Sequence, residues 1–210
     1  MDFDLKNLTP DIRYLNDMRE VLFDKEFAKK SGDLELYFMY RGVQEKGLPR
    51  SKAGGLRYDI TIVPPALLGS EFTKTKGHYH IGAWQEVYTV LEGSAIYLLQ
   101  KKNAEGQIED AVAIKAEKGD FVIMPPFYGH VTINPSETKK LKMANWISPD
   151  CKSDYSDFVN LQGACYFYVK WPASGEGTWI KNENYKSLPE LRFEKPLKSI
   201  PENLDFLKQA

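Results

Sequence analysis

The chain is poor in the side chains that most often build covalent or metal frameworks: its 210 residues include two cysteines and three histidines. Cys151 and Cys165 make neither a disulfide ladder nor a zinc-binding spacing. A surplus of positive charge is missing too, with 28 Lys and Arg against 29 Asp and Glu and a net charge of −1. Phosphate-backbone binding needs such a surplus, so a nucleic-acid partner is not expected. The local basic run Lys139, Lys140 and Lys142 reads as a solvated loop. No apolar run approaches the roughly 20 residues that span a bilayer, so no membrane partner is expected either. The start Met1-Asp2-Phe3-Asp4 is acidic and lacks the apolar core of an export signal, which gives a cytoplasmic location as the expectation. Internal repeats and low-complexity segments are absent from the sequence.

What the chain does have is aromatic surface: 11 Phe, 12 Tyr and 4 Trp, enough apolar area to offset the entropy of an ordered core. These residues sit with Val and Ile in short runs separated by turn signals. The runs at 35–41, 56–63, 86–91, 95–100, 111–115, 121–124, 131–134, 141–147 and 164–170 read as strands. Pro64-Pro65, Glu92-Gly93, the 103–107 stretch with Gly106, Gly119-Asp120 and Pro125-Pro126 punctuate them. Strands at this spacing, with no long helical pattern between them, predict an all-β antiparallel sandwich or jelly-roll barrel. Residues 1–34 read as an N-terminal extension packing on a barrel of residues 35–185, and 186–210 as a tail with extended packing and then a short C-terminal helix. Within the extension two readings fit: a helix from Thr9-Pro10-Asp11 with Ile12, Leu15, Met18 and Leu22 on one face, or an edge strand followed by a short helix near 25–30. The 44–55 stretch, with Pro49 and several glycines, reads as a surface loop.

Chemistry concentrates in two stretches. In Thr75-Lys76-Gly77-His78-Tyr79-His80 the two imidazoles are two residues apart, and strand alternation puts both on one face. Five residues later comes Glu86, which shares a strand face with Tyr88, a carboxylate beside an aromatic as in a pocket wall. The third histidine, His130, follows the Pro125-Pro126 turn at the start of a returning strand. A single strand histidine is more often a surface or core residue than a ligand. Here every imidazole of the chain falls in one of two short motifs with a glutamate between them, which predicts a metal site.

Both stretches resemble the two sequence motifs of the cupin superfamily, G-x5-H-x-H-x3-4-E-x6-G and G-x5-P-x-G-x2-H-x3-N. The departures are Phe72 in place of the first glycine, a five-residue gap before Glu86 and Phe127 in place of a motif 2 glycine. More specifically, the 75–80 stretch, Glu86-Val87-Tyr88, Tyr97-Leu98-Leu99-Gln100 and the 125–130 stretch with Asn134 resemble the cupin-type glucose-6-phosphate isomerases of archaea and some bacteria. Leu15-Asn16-Asp17-Met18, Tyr37, Tyr40 and the Thr61 strand leading to Pro64 add to the likeness. The resemblance implies a double-stranded β-helix holding one divalent metal on His78, His80, Glu86 and His130. Such a nitrogen-rich set suits a first-row ion better than Mg²⁺ or Ca²⁺; iron(II) stands first, with manganese, nickel and zinc as alternatives.

The resemblance further implies a phosphorylated sugar substrate and a homodimer. It puts the phosphate on Tyr37, Thr61, Thr75 and the backbone N–H of Gly77, with Arg41, Lys74 and Lys76 able to add charge. Thr61 and Thr75 also read as ordinary strand residues, and Tyr37, Tyr40 and Tyr88 as core aromatics. If a base moves the proton between C2 and C1, the resemblance makes Glu86 the candidate, with Tyr88 beside it as a second catalytic candidate; a hydride shift within the metal-bound substrate is the other route. Known relatives carry a tyrosine and a histidine after motif 2. Here Ser148 stands at the tyrosine position and no histidine follows His130, leaving Tyr155, Asp154, Lys152 or a bound water for sugar ring opening. The implied activity is interconversion of glucose 6-phosphate and fructose 6-phosphate. The alternatives are another sugar-phosphate isomerase or epimerase, a cupin dioxygenase, and a sugar-binding cupin without catalysis.

Overall fold

The computed structural model describes residue 5 and residues 7–43 and 55–209. The 44–55 loop reading, Gly55 apart, and the acidic tetrapeptide at the start lie outside the described residues. The chain opens on strand β1 (Asp11–Tyr14), passes through two 3₁₀ turns and helix α1 (Lys25–Lys30), and continues into β2 (Glu35–Tyr40) and β3 (Arg57–Val63). The edge-strand reading of the extension is therefore the one adopted. Ile12 pairs with Phe38 in β2, while Leu15, Met18, Val21 and Leu22 are fully buried in turns whose period of about three mimics a helix face in sequence. Asp24 caps α1, its carboxylate accepting the Phe27 N–H at 2.8 Å.

Short strands β4 (Leu67–Leu68), β5 (Glu71–Phe72) and β6 (Tyr79–His80) lead to the long ones: β7 (Glu86–Glu92), β8 (Ser94–Lys102), β9 (Ile108–Glu117), β10 (Phe121–Met124), β11 (Tyr128–Ile133) and β12 (Leu141–Ile147). The chain ends through β13 (Ser153–Asp154), α2 (Ser156–Asn160), the hairpin β14 (Tyr166–Lys170) and β15 (Gly177–Lys181), and β16 (Arg192–Glu194). One sheet runs β1-β2-β3-β12-β7-β10 and a second runs β11-β8-β9-β16; β15-β14-β5-β4 and β13-β6 complete the set. Tyr88 of the first sheet and Tyr97 of the second meet with ring centroids 5.4 Å apart. The two sheets thus share one core, in the all-β double-stranded β-helix that the resemblance implies.

Alternation in the large sheet separates the two faces cleanly. Thr61, Asp59 and Arg57 lie opposite Met143, Asn145 and Ile147 of β12, and Asn145 and Ile147 in turn lie opposite Tyr88 and Glu86 of β7. The intervening residues Tyr58, Ile60, Ala144 and Trp146 pack on the outer face. Val87, Phe121 and Ile123 belong to that outer layer as well, and the 3₁₀ turn Asp205–Lys208 covers them with the fully buried Leu207. The tail thus runs extended, with β16 parallel to β9, and ends in a short helical turn that closes the outer face. The boundary that bears on the site moves: β11 begins at Tyr128, so His130 sits inside the strand, opposite Leu99, rather than at its start.

Candidate metal centre and substrate pocket

The first motif works through a β-bulge. Lys74 faces Ile133 and His78 faces His130 across an antiparallel ladder, so four steps on one strand oppose three on the other. The extra residue falls where Gly77 adopts φ +83, the left-handed conformation that such a bulge needs. Alternation changes phase there. Thr75 before the bulge and His78 after it both line the same pocket, while Lys74 is turned away into a buried ion pair with Glu71. A Cβ at Gly77 would lie 2.6 Å from the Phe158 ring and 2.6 Å from Val131 Cγ2. We expect Gly77→Ala to lower stability by about 3 kcal/mol, measured by chemical denaturation, through left-handed strain and overpacking together.

His78, His80, Glu86 and His130 converge, with their donor atoms all within 4.8 Å of one another. That is near the span of about 4 Å between two donors placed about 2.1 Å from one ion on opposite sides. Glu86 Oε2 lies 3.4 Å from His80 Nε2 and 3.4 Å from His130 Nε2. These three atoms are buried and have no hydrogen-bond partner, which is costly for polar groups unless an ion takes their lone pairs. His80 Nδ1 lies 3.1 Å from the Trp84 carbonyl, which only accepts, so Nδ1 carries a proton and Nε2 is the nitrogen left facing the cluster. Three nitrogens and one carboxylate fit a divalent first-row ion.

The electrostatics prepare most of the ligands. Burial, reinforced by His130 and His80, holds the His78 imidazole well below its ordinary value, and burial lowers His130. Burial raises Glu86, but His130 and His80 outweigh it and keep the carboxylate ionised. His80 goes the other way: burial lowers it, but Cys151 and Glu86 offset this and push it up to about 10. Ligation must therefore displace a proton from His80.

Around this cluster the pocket offers about 670 Å³, part of it open to solvent, and its lining includes Tyr37, Thr61, Thr75, Gly77 and Tyr88. The Tyr37 hydroxyl accepts the Lys76 N–H at 3.2 Å, and Thr75 Oγ1 accepts the Thr132 N–H at 2.9 Å. Each hydroxyl keeps its own proton to donate. Burial raises Tyr37, and burial with Glu86 raises Tyr88 well above the ordinary phenol value, so both stay neutral. Tyr40 is absent from the lining and packs with the outer cluster. Arg41 and Lys76 line the pocket; Lys74 does not.

Two cations escaped the sequence reading. Arg57 shares the face of Thr61 four residues on, a period-two signal that was available. Arg13 lies in the ambiguous N-terminal segment, where nothing marked its direction. Asp59, fully buried, holds Arg41 Nη1 at 2.9 Å, Arg57 Nε at 2.9 Å and the Gly42 N–H at 2.8 Å. Of the side chains named for ring opening, Tyr155 lines the pocket with its ring 5.5 Å from that of His78. Asp154 instead accepts the Ser156 N–H at 2.9 Å, and Lys152 is exposed. Ser148 is buried, accepting the Asp150 N–H at 3.3 Å. Asn134 braces the second motif, donating to the carbonyls of Val63 and Lys139 at 3.0 Å each.

Comparison with known proteins points to one family. A family model described as glucose-6-phosphate isomerase (GPI) matches residues 13–190. The glucose-6-phosphate isomerase of Thermococcus litoralis is 33% identical over 162 residues, which cover 74% of this chain and 80% of that protein. The corresponding proteins of Pyrococcus abyssi and Pyrococcus horikoshii are 30% and 31% identical, each over 84% of this chain and 88% of their own. Among solved structures, tomato vicilin superposes with a TM-score of 0.46 at 13% identity, over 73% of this chain and 36% of its own, a likeness too loose to bear on function.

Proposed function

The chain belongs to the cupin-type glucose-6-phosphate isomerase family, and we infer from that premise that it is a metal-dependent aldose–ketose isomerase interconverting glucose 6-phosphate and fructose 6-phosphate. The observation that carries the reading is the convergence of three imidazoles and a carboxylate, with orphaned buried donor atoms, beside a pocket with a cationic wall that His78, Glu86 and His130 line. We assign His78, His80, Glu86 and His130 as the ligands of one divalent ion, iron(II) first among manganese, nickel and zinc. When bound, that ion supplies Lewis acidity to the sugar's C1 and C2 oxygens.

The chain's own side chains supply the rest. We assign the phosphate to Tyr37, Thr61, Thr75 and the Gly77 N–H, hydroxyl and amide donors that line the pocket. Glu86, ionised and facing the pocket, is the group we assign to carry the proton between C2 and C1, although its two histidine neighbours make it a weak base. Tyr88, a neutral phenol beside it, donates to a sugar oxygen. We assign ring opening to the Tyr155 hydroxyl, whose ring lies 5.5 Å from that of His78. Tyr155→Phe should then lower kcat on cyclic glucose 6-phosphate about 100-fold with metal content unchanged, checked by steady-state kinetics beside elemental analysis.

We place the catalytic barrel in residues 35–185, supported by 1–34 and 186–210, in a cytoplasmic homodimer; light scattering at twice the chain mass of 24.1 kDa is the expected result. Among the described residues no helix is long and apolar enough to cross a membrane. The decisive test is a coupled assay of the purified protein before and after chelation. Turnover that chelator removes and a divalent ion restores is expected. Absence of fructose 6-phosphate turnover after loading with Fe²⁺, Mn²⁺, Ni²⁺ and Zn²⁺ in turn would sink the reading.

A further inference from the structure

We propose that Arg13 is the specificity-determining cation of the pocket: it recognises the substrate's phosphate and makes the enzyme discriminate between a sugar phosphate and the free sugar. The proposal rests on the isomerase reading for the identity of the substrate. Arg13 comes from β1, opposite Tyr37 in β2, with a register shift immediately after it. Its guanidinium carbon lies 6.0 Å from the Tyr37 ring centroid and 5.8 Å from that of Tyr155, so two pocket aromatics hold it. Its Nε is buried without a hydrogen-bond partner. A buried N–H on a charged group is costly to leave unpaired, and an anion entering the pocket is the natural acceptor.

Charge balance narrows the choice to Arg13 and Lys76. Among the described residues four cations line the pocket, Arg13, Arg41, Arg57 and Lys76. Asp59 occupies Arg41 and Arg57. Among the described residues no carboxylate lies within ion-pair distance of Arg13 or Lys76; Asp17, the acid near Arg13 in sequence, accepts the Tyr14 N–H at 3.0 Å. Lys76 Nζ stands 5.8 Å from the same Tyr155 ring that Arg13 faces. Two cations without an ion pair, Arg13 meeting the Tyr37 hydroxyl and feeling Asp17 only at longer range, match a phosphate monoester, which carries a charge of about −1.5 to −2 at pH 7. The hydroxyls of Tyr37 and Thr75 stand in the same pocket with protons to donate. Arginine suits the role better than lysine, because its planar fork can engage two phosphate oxygens at once.

The contact is made in ground state and transition state alike, so it should appear in KM rather than kcat. In the metal-loaded enzyme, Arg13→Gln should raise KM for fructose 6-phosphate and the inhibition constant of inorganic phosphate about 10- to 100-fold, with kcat within about threefold. Arg13→Lys, which keeps the charge and loses the fork, should fall between. A merely structural role would lower kcat and melting temperature together and would not be rescued by lysine. Unchanged KM and phosphate inhibition in Arg13→Gln overturns the proposal, as does a fall in kcat alone. Should Arg13→Gln not fold, Arg13→Lys decides by the same two constants. If the wild type itself shows no isomerisation, the isomerase reading fails separately. Thermal stabilisation by inorganic phosphate then still judges Arg13: its loss in the variant supports the assignment and its persistence overturns it.

Discussion

His130→Ala and His80→Ala should each lose stoichiometric metal and reduce isomerisation at least about 1000-fold while remaining folded. Each substitution removes one of four convergent donors, and an incomplete ligand set neither retains the ion nor presents it to substrate. The fold should survive because neither Nε2 atom makes a hydrogen bond within the protein; alanine removes a buried polar atom that metal would satisfy. The stabilisation that metal gives wild type, about 4 kcal/mol at a concentration 1000 times Kd, should vanish in both variants. Elemental analysis and melts with and without added ion read these outcomes. Stoichiometric metal in both variants would contradict the ligand assignment. Loading of wild type should weaken as pH falls below about 10, by up to about tenfold per unit, since one proton must leave His80.

The centre was legible in the sequence because its chemistry is local. His78 and His80 share a face by simple alternation, and His130 and Glu86 lie in motifs of their own. The strands around them were legible for the same reason: 121–124 and 141–147 are read at their observed limits because alternating Val, Ile, Met and Trp meet clear turns. What hid was whatever depends on distant pairing. Arg13 enters the pocket only because β1 joins the edge of the large sheet, and a four-residue strand preceding turns of period three resembles one amphipathic helix. The bulge at Gly77 is invisible in sequence as a change of phase, yet it puts Thr75 in the pocket and Lys74 outside. Phe127 occupies the motif glycine's place while keeping a left-handed φ of +66, so the substitution changed the residue and left the turn intact.

Lys74, turned away by that bulge, leads to the second large effect: Glu71→Ala should destabilise the protein by about 3–5 kcal/mol, lowering the melting temperature by about 10 °C. Glu71 and Lys74 are both buried and ion-paired, Glu71 Oε2 accepts the Phe23 N–H at 2.8 Å, and Lys74 Nζ donates to the Val21 carbonyl at 2.8 Å. The pair ties the N-terminal segment to the barrel, and the alanine leaves a buried ammonium without its counter-ion. Burial nevertheless raises the Glu71 carboxyl above its ordinary value, with Lys74 opposing. A raised carboxyl favours the fold fully below its unfolded value and loses that contribution as pH rises through the folded one. Glu71 ionisation therefore weakens rather than supports the fold at neutral pH, and Glu71 should not drive acid unfolding. The double variant Glu71→Leu with Lys74→Met should recover most of the loss, because two apolar side chains need no mutual charge compensation. Chemical denaturation of wild type, single and double variants reads the effect. A single variant as stable as wild type would show that the pair does not hold the N-terminal segment. Because β1 belongs to that segment, the single variant should also raise KM for fructose 6-phosphate by loosening Arg13, and the double variant should restore it.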